Sequence, residues 1–151
     1  MRLDRFLSEA INQAGAPYIW GGRDAVGVDC WGFLAVAMYR CGGPKLFSWW
    51  TDMAWAQLQR LENAPPKAPG DEQPIQPWPG LAAFYGGRGD DVEHVMLVVA
   101  QGVLMGAVGG DRTCRTRETA MQRGAKVRAF TFDEYARRRS DFRGYRSLPI
   151  D

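Results

Sequence analysis

Histidine occurs once, as His94, and cysteine three times, as Cys30, Cys41 and Cys114. An odd cysteine count with no C-x-x-C pair argues against a disulfide framework and for reduced thiols. None of these four residues stands at zinc-ligand spacing to another, and no cofactor motif is present, so neither a metal nor a cofactor is expected. Charge of one sign is missing too: 19 Lys and Arg against 17 Asp and Glu leave +2. That balance is too small to indicate a nucleic-acid partner. No apolar run approaches the ~20 residues of a membrane span, and Met1-Arg2-Leu3-Asp4 leads into no secretory apolar region. The expectations are a protein made in the cytoplasm without a signal peptide, with no membrane partner, acting as a monomer.

What is present suits one globular domain over residues 1–151. The chain has 151 residues, 46% of them hydrophobic, and a chain of this size buries roughly 70% of the surface its unfolded form exposes. Leu3, Phe6, Leu7, Ala10, Ile11 and Ala14 recur at helical spacing, predicting a helix over 2–14 that Gly15 and Pro17 end. A second helix is expected from Val28-Asp29-Cys30, carrying Phe33, Leu34, Val36, Ala37 and Tyr39 until Gly42-Gly43-Pro44 breaks it. Thr51 suits the N-cap of a third, with Met53, Trp55, Ala56, Leu58 and Leu61. Residues 65–79 hold six of the nine prolines and read as an extended loop inside the domain. Strands are predicted over 81–85, 94–100, 103–108, 126–130 and 142–148, with a turn at Gln101-Gly102 and a short polar helix over 133–139. Helices first and an antiparallel sheet after them make an α+β fold.

A thiol becomes a good nucleophile as thiolate, and a helix N-terminus favours that form through unpaired N–H groups and the dipole. Cys30 is placed there, and the same N–H groups can stabilise an oxyanion. His94 is the one imidazole able to act as base. It opens a strand, from which its side chain can face the preceding helix. Cys41 and Cys114 read as small buried hydrophobes. Trp49, Trp50 and Trp55 read as core aromatics or a substrate groove. The basic residues crowding the C-terminal third, from Arg112 to Arg146, read as a solvated face or a surface for a polyanion such as a cell wall.

Tyr18-x-Trp20-Gly21-Gly22, then Gly27-x-Asp29-Cys30-x-Gly32-Phe33, then Pro79-Gly80 before an apolar strand, then His94-Val95 together resemble the NlpC family of papain-like cell-wall cysteine peptidases. The Asp29-Cys30-Trp31-Gly32 core is similar to versions encoded by phages and prophages. The resemblance runs over residues 5–110, with a weaker echo at Gly144-Tyr145-Arg146. It implies a papain-like fold whose N-terminal helices carry the nucleophile against a central antiparallel sheet. It also implies Cys30 as nucleophile, His94 as base, Tyr18 at the oxyanion or substrate, and Asp29 holding the free amine of a peptide stem. Bulky Trp31 should wall the cleft. The implied reaction is metal-free hydrolysis of amide bonds in peptidoglycan stem peptides through an acyl-enzyme.

Three positions depart from the family pattern: Leu81 replaces an aspartate, Met96 a small residue, and Gly106 the polar residue that orients the imidazole. Asp111, Gln101 or water are the alternatives for that orienting role. The roles in view are a phage endolysin or virion-associated lysin, an interbacterial effector amidase, and a catalytically silent tail or wall-binding module. In each the protein would reach periplasmic or cell-wall peptidoglycan by release or delivery.

Overall fold

The computed structural model describes residues 2–43, 50–58, 77–86 and 92–150. Helix α1 (Leu3–Ile11) buries Phe6 and Ala10 against α2 (Cys30–Arg40). Between them, the two-residue strands β1 (Arg23–Asp24) and β2 (Gly27–Val28) pair antiparallel. Every residue of α2 from Cys30 to Met38 is buried, as expected of a helix apolar all round. Helix α3 (Thr51–Leu58) buries Ala54, Trp55 and Leu58.

Strands β3 (Leu81–Tyr85), β4 (His94–Ala100), β5 (Val103–Val108), β6 (Lys126–Thr131) and β7 (Phe142–Ser147) form one antiparallel sheet in the order β6-β5-β4-β3-β7. Because side chains alternate along a strand, the sheet buries both faces. Val95 and Leu97 join the cluster of α1 and α2. Met96, Val98, Leu104 and Phe130 join Tyr135 of helix α5 (Phe132–Arg138) on the opposite face. At the β7 edge, Arg146 lies over the Trp55 ring, 3.6 Å from its centroid, and ties α3 to the sheet. The arrangement is the α+β layout predicted, with α2 presenting Cys30 at its N-terminus over the sheet.

Three differences from the sequence expectation have local causes. Helix α1 stops at Ile11, and residues 12–15 turn so that the Gly15 N–H meets the Val127 carbonyl at 2.9 Å. Helix α4 (Arg117–Arg123) was not predicted because only Ala120 is buried, leaving no apolar stripe. Its ends are nonetheless chemically marked: the Thr116 hydroxyl accepts from the Thr119 N–H, and Gly124 closes it in the left-handed region. The β1–β2 pair is too short for any periodicity. Leu61, Trp49 and the loop residues 65–76 lie outside the described residues.

The Gly-rich blocks mark close backbone crossings. A Cβ on Gly32, in the first turn of α2, would fall on the Gly22 carbonyl oxygen. Gly32→Ala is therefore expected to destabilise the protein by about 1–3 kcal/mol through overpacking, read as a lowered urea midpoint at unchanged slope.

Candidate active site

The start of α2 is held by one carboxylate. Asp29, only 4% exposed, caps the helix by accepting the Gly32 N–H at 2.7 Å. Its other oxygen accepts the Gly21 N–H at 3.0 Å, and the Arg23 guanidinium completes the set with a hydrogen-bonded ion pair. The aromatic-glycine loop, the β1–β2 pair and the helix thus meet at Asp29, and the next residue is Cys30. The Cys30 Sγ lies 3.4 Å from the Thr51 hydroxyl and 3.9 Å from the Glu93 carbonyl oxygen. Burial and then the Asp29 charge push the thiol pKa up, against opposing hydrogen bonds from Thr51 and from the Val95 and Trp31 backbone.

His94 opens β4 directly across from Tyr85. Strand alternation puts Val95 in the cluster of α1 and α2 and sets the His94 ring beside Tyr85 and Tyr135, where it borders the cleft that Cys30 also lines. The imidazole lies 5.9 Å from the Tyr85 ring and 6.1 Å from the Tyr135 ring, tilted against both. Its Nε2 is buried without a hydrogen-bond partner. Burial, and secondarily the Arg139 guanidinium, lower the imidazole pKa to about 3, with Asp141 opposing. Arg139 and Asp141 form a two-bond pair, at 2.6 and 2.9 Å, above the Tyr85 ring. Sequence reasoning missed Tyr85, Tyr135, Arg139 and Asp141; a C-terminal basic run carries no signal that one of its arginines turns inward.

Cys30 and His94 line one cleft of about 740 Å³ with Tyr18, Trp20, Asp29, Trp50, Thr51, Asp111 and Arg139. Tyr18 is buried, with its ring packed on the Gly110 backbone, where a Cβ would collide with it. Burial, first, and the Cys30 charge raise its pKa well above the ordinary value, so its hydroxyl stays a proton donor. Trp20 and Trp50 are 40% and 48% exposed and stack at 6.2 Å on the rim, whereas Trp55 is core. Trp31 is fully buried and does not line the cleft. Its expected wall-forming role is corrected: as the second residue of α2 it is buried in the core instead. Cys41 and Cys114 are buried free thiols, Cys114 donating to the Tyr18 carbonyl at 3.3 Å.

The orienting position is filled sterically. A Cβ on Gly106 would stand 2.6 Å from the Met96 sulfur. Asp111 does line the cleft, yet its carboxylate is occupied by the Thr113 N–H and hydroxyl and by Arg123. No hydrogen bond joins it, or Gln101, to His94 among the described residues. Nor are three His, Cys, Asp or Glu side chains grouped there as metal ligands would be.

The sequence profile of the NlpC/P60 family matches residues 15–129. The chain belongs to the NlpC/P60 family. That span contains the cap, the cysteine and the histidine, so the family pattern covers the candidate site except Tyr135, Arg139 and Asp141. Solved structures agree on the fold. The NlpC/p60 domain of the peptidoglycan hydrolase SagA is 19% identical, with TM-score 0.62, covering 98% of this chain and 100% of that one. The peptidoglycan hydrolase RipB from Mycobacterium tuberculosis is 20% identical, with TM-score 0.61, covering 99% of this chain and 65% of that one. The P60 domain of the M. avium subspecies paratuberculosis antigen MAP1204 is 18% identical, with TM-score 0.59, covering 99% and 95%. No curated protein matches the chain significantly. Within this NlpC/P60 domain, Arg139 and Asp141 lie beyond the matched span, which is why no motif led to them.

His94 is neutral when folded and free to protonate near 6.5 when unfolded. Between about pH 6.5 and 3 the unfolded chain binds more protons, so stability is full above this window and falls as pH drops through it. The free energy from urea unfolding is expected to fall between pH 7 and pH 5, and to fall less in His94→Gln.

Proposed function

We propose that this chain is a cysteine peptidase that hydrolyses amide bonds in peptidoglycan stem peptides. The observation that carries the reading is the presence of Cys30, at the N-terminus of a buried helix, and the one histidine in a single cleft of an NlpC/P60 domain. Two of its structural neighbours, SagA and RipB, are peptidoglycan hydrolases, which supports the substrate class.

The chemistry starts from a protonated thiol and a neutral imidazole. As Sγ attacks the amide carbon, the thiol proton passes to His94 and negative charge develops on the carbonyl oxygen. The first turn of α2 and the Tyr18 hydroxyl supply the donors for that oxygen. Collapse of the tetrahedral species breaks the C–N bond, and His94 returns the proton to the leaving amine. Water then cleaves the thioester with His94 as base, releasing the acid and the thiol. Asp29 works as a positioning residue, since its oxygens already hold Gly21, Arg23 and Gly32. His94 is oriented by the faces of Tyr85 and Tyr135.

The Asp29-Cys30-Trp31-Gly32 core supports a phage-type lysin reached by release or packaging. The unpartnered His94 Nε2 favours a second reading, a silent wall-binding module. The two are separated by mass spectrometry of purified peptidoglycan. Wild type is expected to release stem-peptide fragments, and Cys30→Ala none, with both proteins folded; fragments from neither would leave the silent module. Because the resting thiol is protonated, iodoacetamide is expected to alkylate Cys30 at pH 7 more slowly than free cysteine, measured as adduct mass against time.

A further inference from the structure

On the far side of the residues it shares with the cleft, His94 among them, lies a second chamber of about 330 Å³. Tyr18, His94, Gly110 and Arg139 line both spaces, so the two adjoin. The chamber is lined by three arginines, Arg123, Arg128 and Arg139, and among the described residues by no carboxylate. Two of these cations have partners, Arg123 on Asp111 and Arg139 on Asp141. Arg128 makes no ion pair among the described residues. Its guanidinium lies 4.7 Å from the centroid of the Phe130 ring, which steadies the plane and leaves the N–H edge open to an oxyanion. The second polar feature is His94 itself, nine-tenths buried, with Nε2 unpartnered. The lining also includes Ala107, Val108 and Phe130, while Arg123 and Arg128 are exposed, so a charge-assisted contact there would be made at the chamber's open edge.

The side of the bond that this chamber receives follows from proton bookkeeping. An imidazole that takes the thiol proton hands it to the departing amine, so the leaving half of the substrate lies on the His94 side, and the acyl half stays on sulfur. We propose that the chamber is a subsite for a carboxylate carried by the leaving-amine half of the substrate, with Arg128 as the residue that binds it. The inference rests on the peptidase reading above and narrows it to stems whose leaving half keeps a free carboxylate.

Equilibrium binding tests this without turnover. Calorimetry would compare diaminopimelyl-D-alanine with its carboxamide form on wild type, Arg128→Gln and the control Arg117→Gln, whose exposed side chain on α4 lines neither space. The free acid is expected to bind wild type about tenfold tighter than the amide or more, the scale of a charge-assisted hydrogen bond. Arg128→Gln should abolish the preference and Arg117→Gln should keep it, with melting temperatures confirming that both variants fold. Equal binding of the two forms to wild type, including no binding of either, overturns the proposal, as does a preference that survives Arg128→Gln. Loss of the peptidase reading would instead show as absent fragment release from peptidoglycan, a separate measurement.

Discussion

The carboxylate of Asp29 is the constraint on which the rest of the site depends. It is buried, and it is tolerated there because Gly32, Gly21 and Arg23 surround it with donors. Removing it would take away an N-cap worth about 0.5–2 kcal/mol and break the ion pair with the largely buried Arg23, a loss of the order of 3–5 kcal/mol. The three donors come from separate segments: the aromatic-glycine loop, the first short strand and the helix. Asp29 therefore sets where α2 begins, and with it where Cys30 stands relative to the sheet. The glycines serve the same junction, since Gly22 and Gly32 pass each other with no room for a side chain.

The electrostatics of the cleft oppose a preformed thiolate–imidazolium pair. Cys30 is burdened by burial and by the Asp29 charge, His94 by burial and by Arg139. Each group is thus held in its neutral form, and charge has to develop during attack rather than before it. An anion beside Arg139 would reduce the penalty on His94. Arg139 and His94 border both the cleft and the arginine-lined chamber, which gives substrate binding a route to that effect. Binding energy from a group remote from the scissile bond would then act on the reacting centre itself.

Strands β3, β4 and β5 were legible with their boundaries because each is a continuous apolar run set off by Gly or polar turns, and α2 because its apolar run follows an Asp cap. Helix α4 was not, since its surface placement removes the periodic signal while its caps, Thr116 and Gly124, look like any polar loop. Cys30 and His94 were singled out through the aromatic-glycine block and chain order, and both line one cleft. The surroundings of His94 were not: Tyr85 is its cross-strand neighbour, but Tyr135, Arg139 and Asp141 arrive from more than forty positions away. Trp31 shows the limit from the other side. Adjacency to Cys30 in sequence suggested a cleft wall, yet on a helix neighbours point about 100° apart, and that angle carries the indole into the core.

Two of the departures from the family pattern are one physical event. Met96 and Gly106 stand on adjacent strands and on one face, and the Met96 sulfur fills the space a side chain at 106 would need. A large residue at 96 thus requires a residue without a side chain at 106, and a polar group at 106 would require a small one at 96. Neither position alone reports lost function; together they report that the polar orienter has been exchanged for packing. Imidazole orientation then has to come from rings, and the tilted contacts of His94 with Tyr85 and Tyr135 supply two. Ring contacts restrain the imidazole plane without accepting a proton from it or favouring its charged form. The lowered basicity of His94 and the absence, among the described residues, of a polar partner for its Nε2 are therefore consistent parts of the same local design.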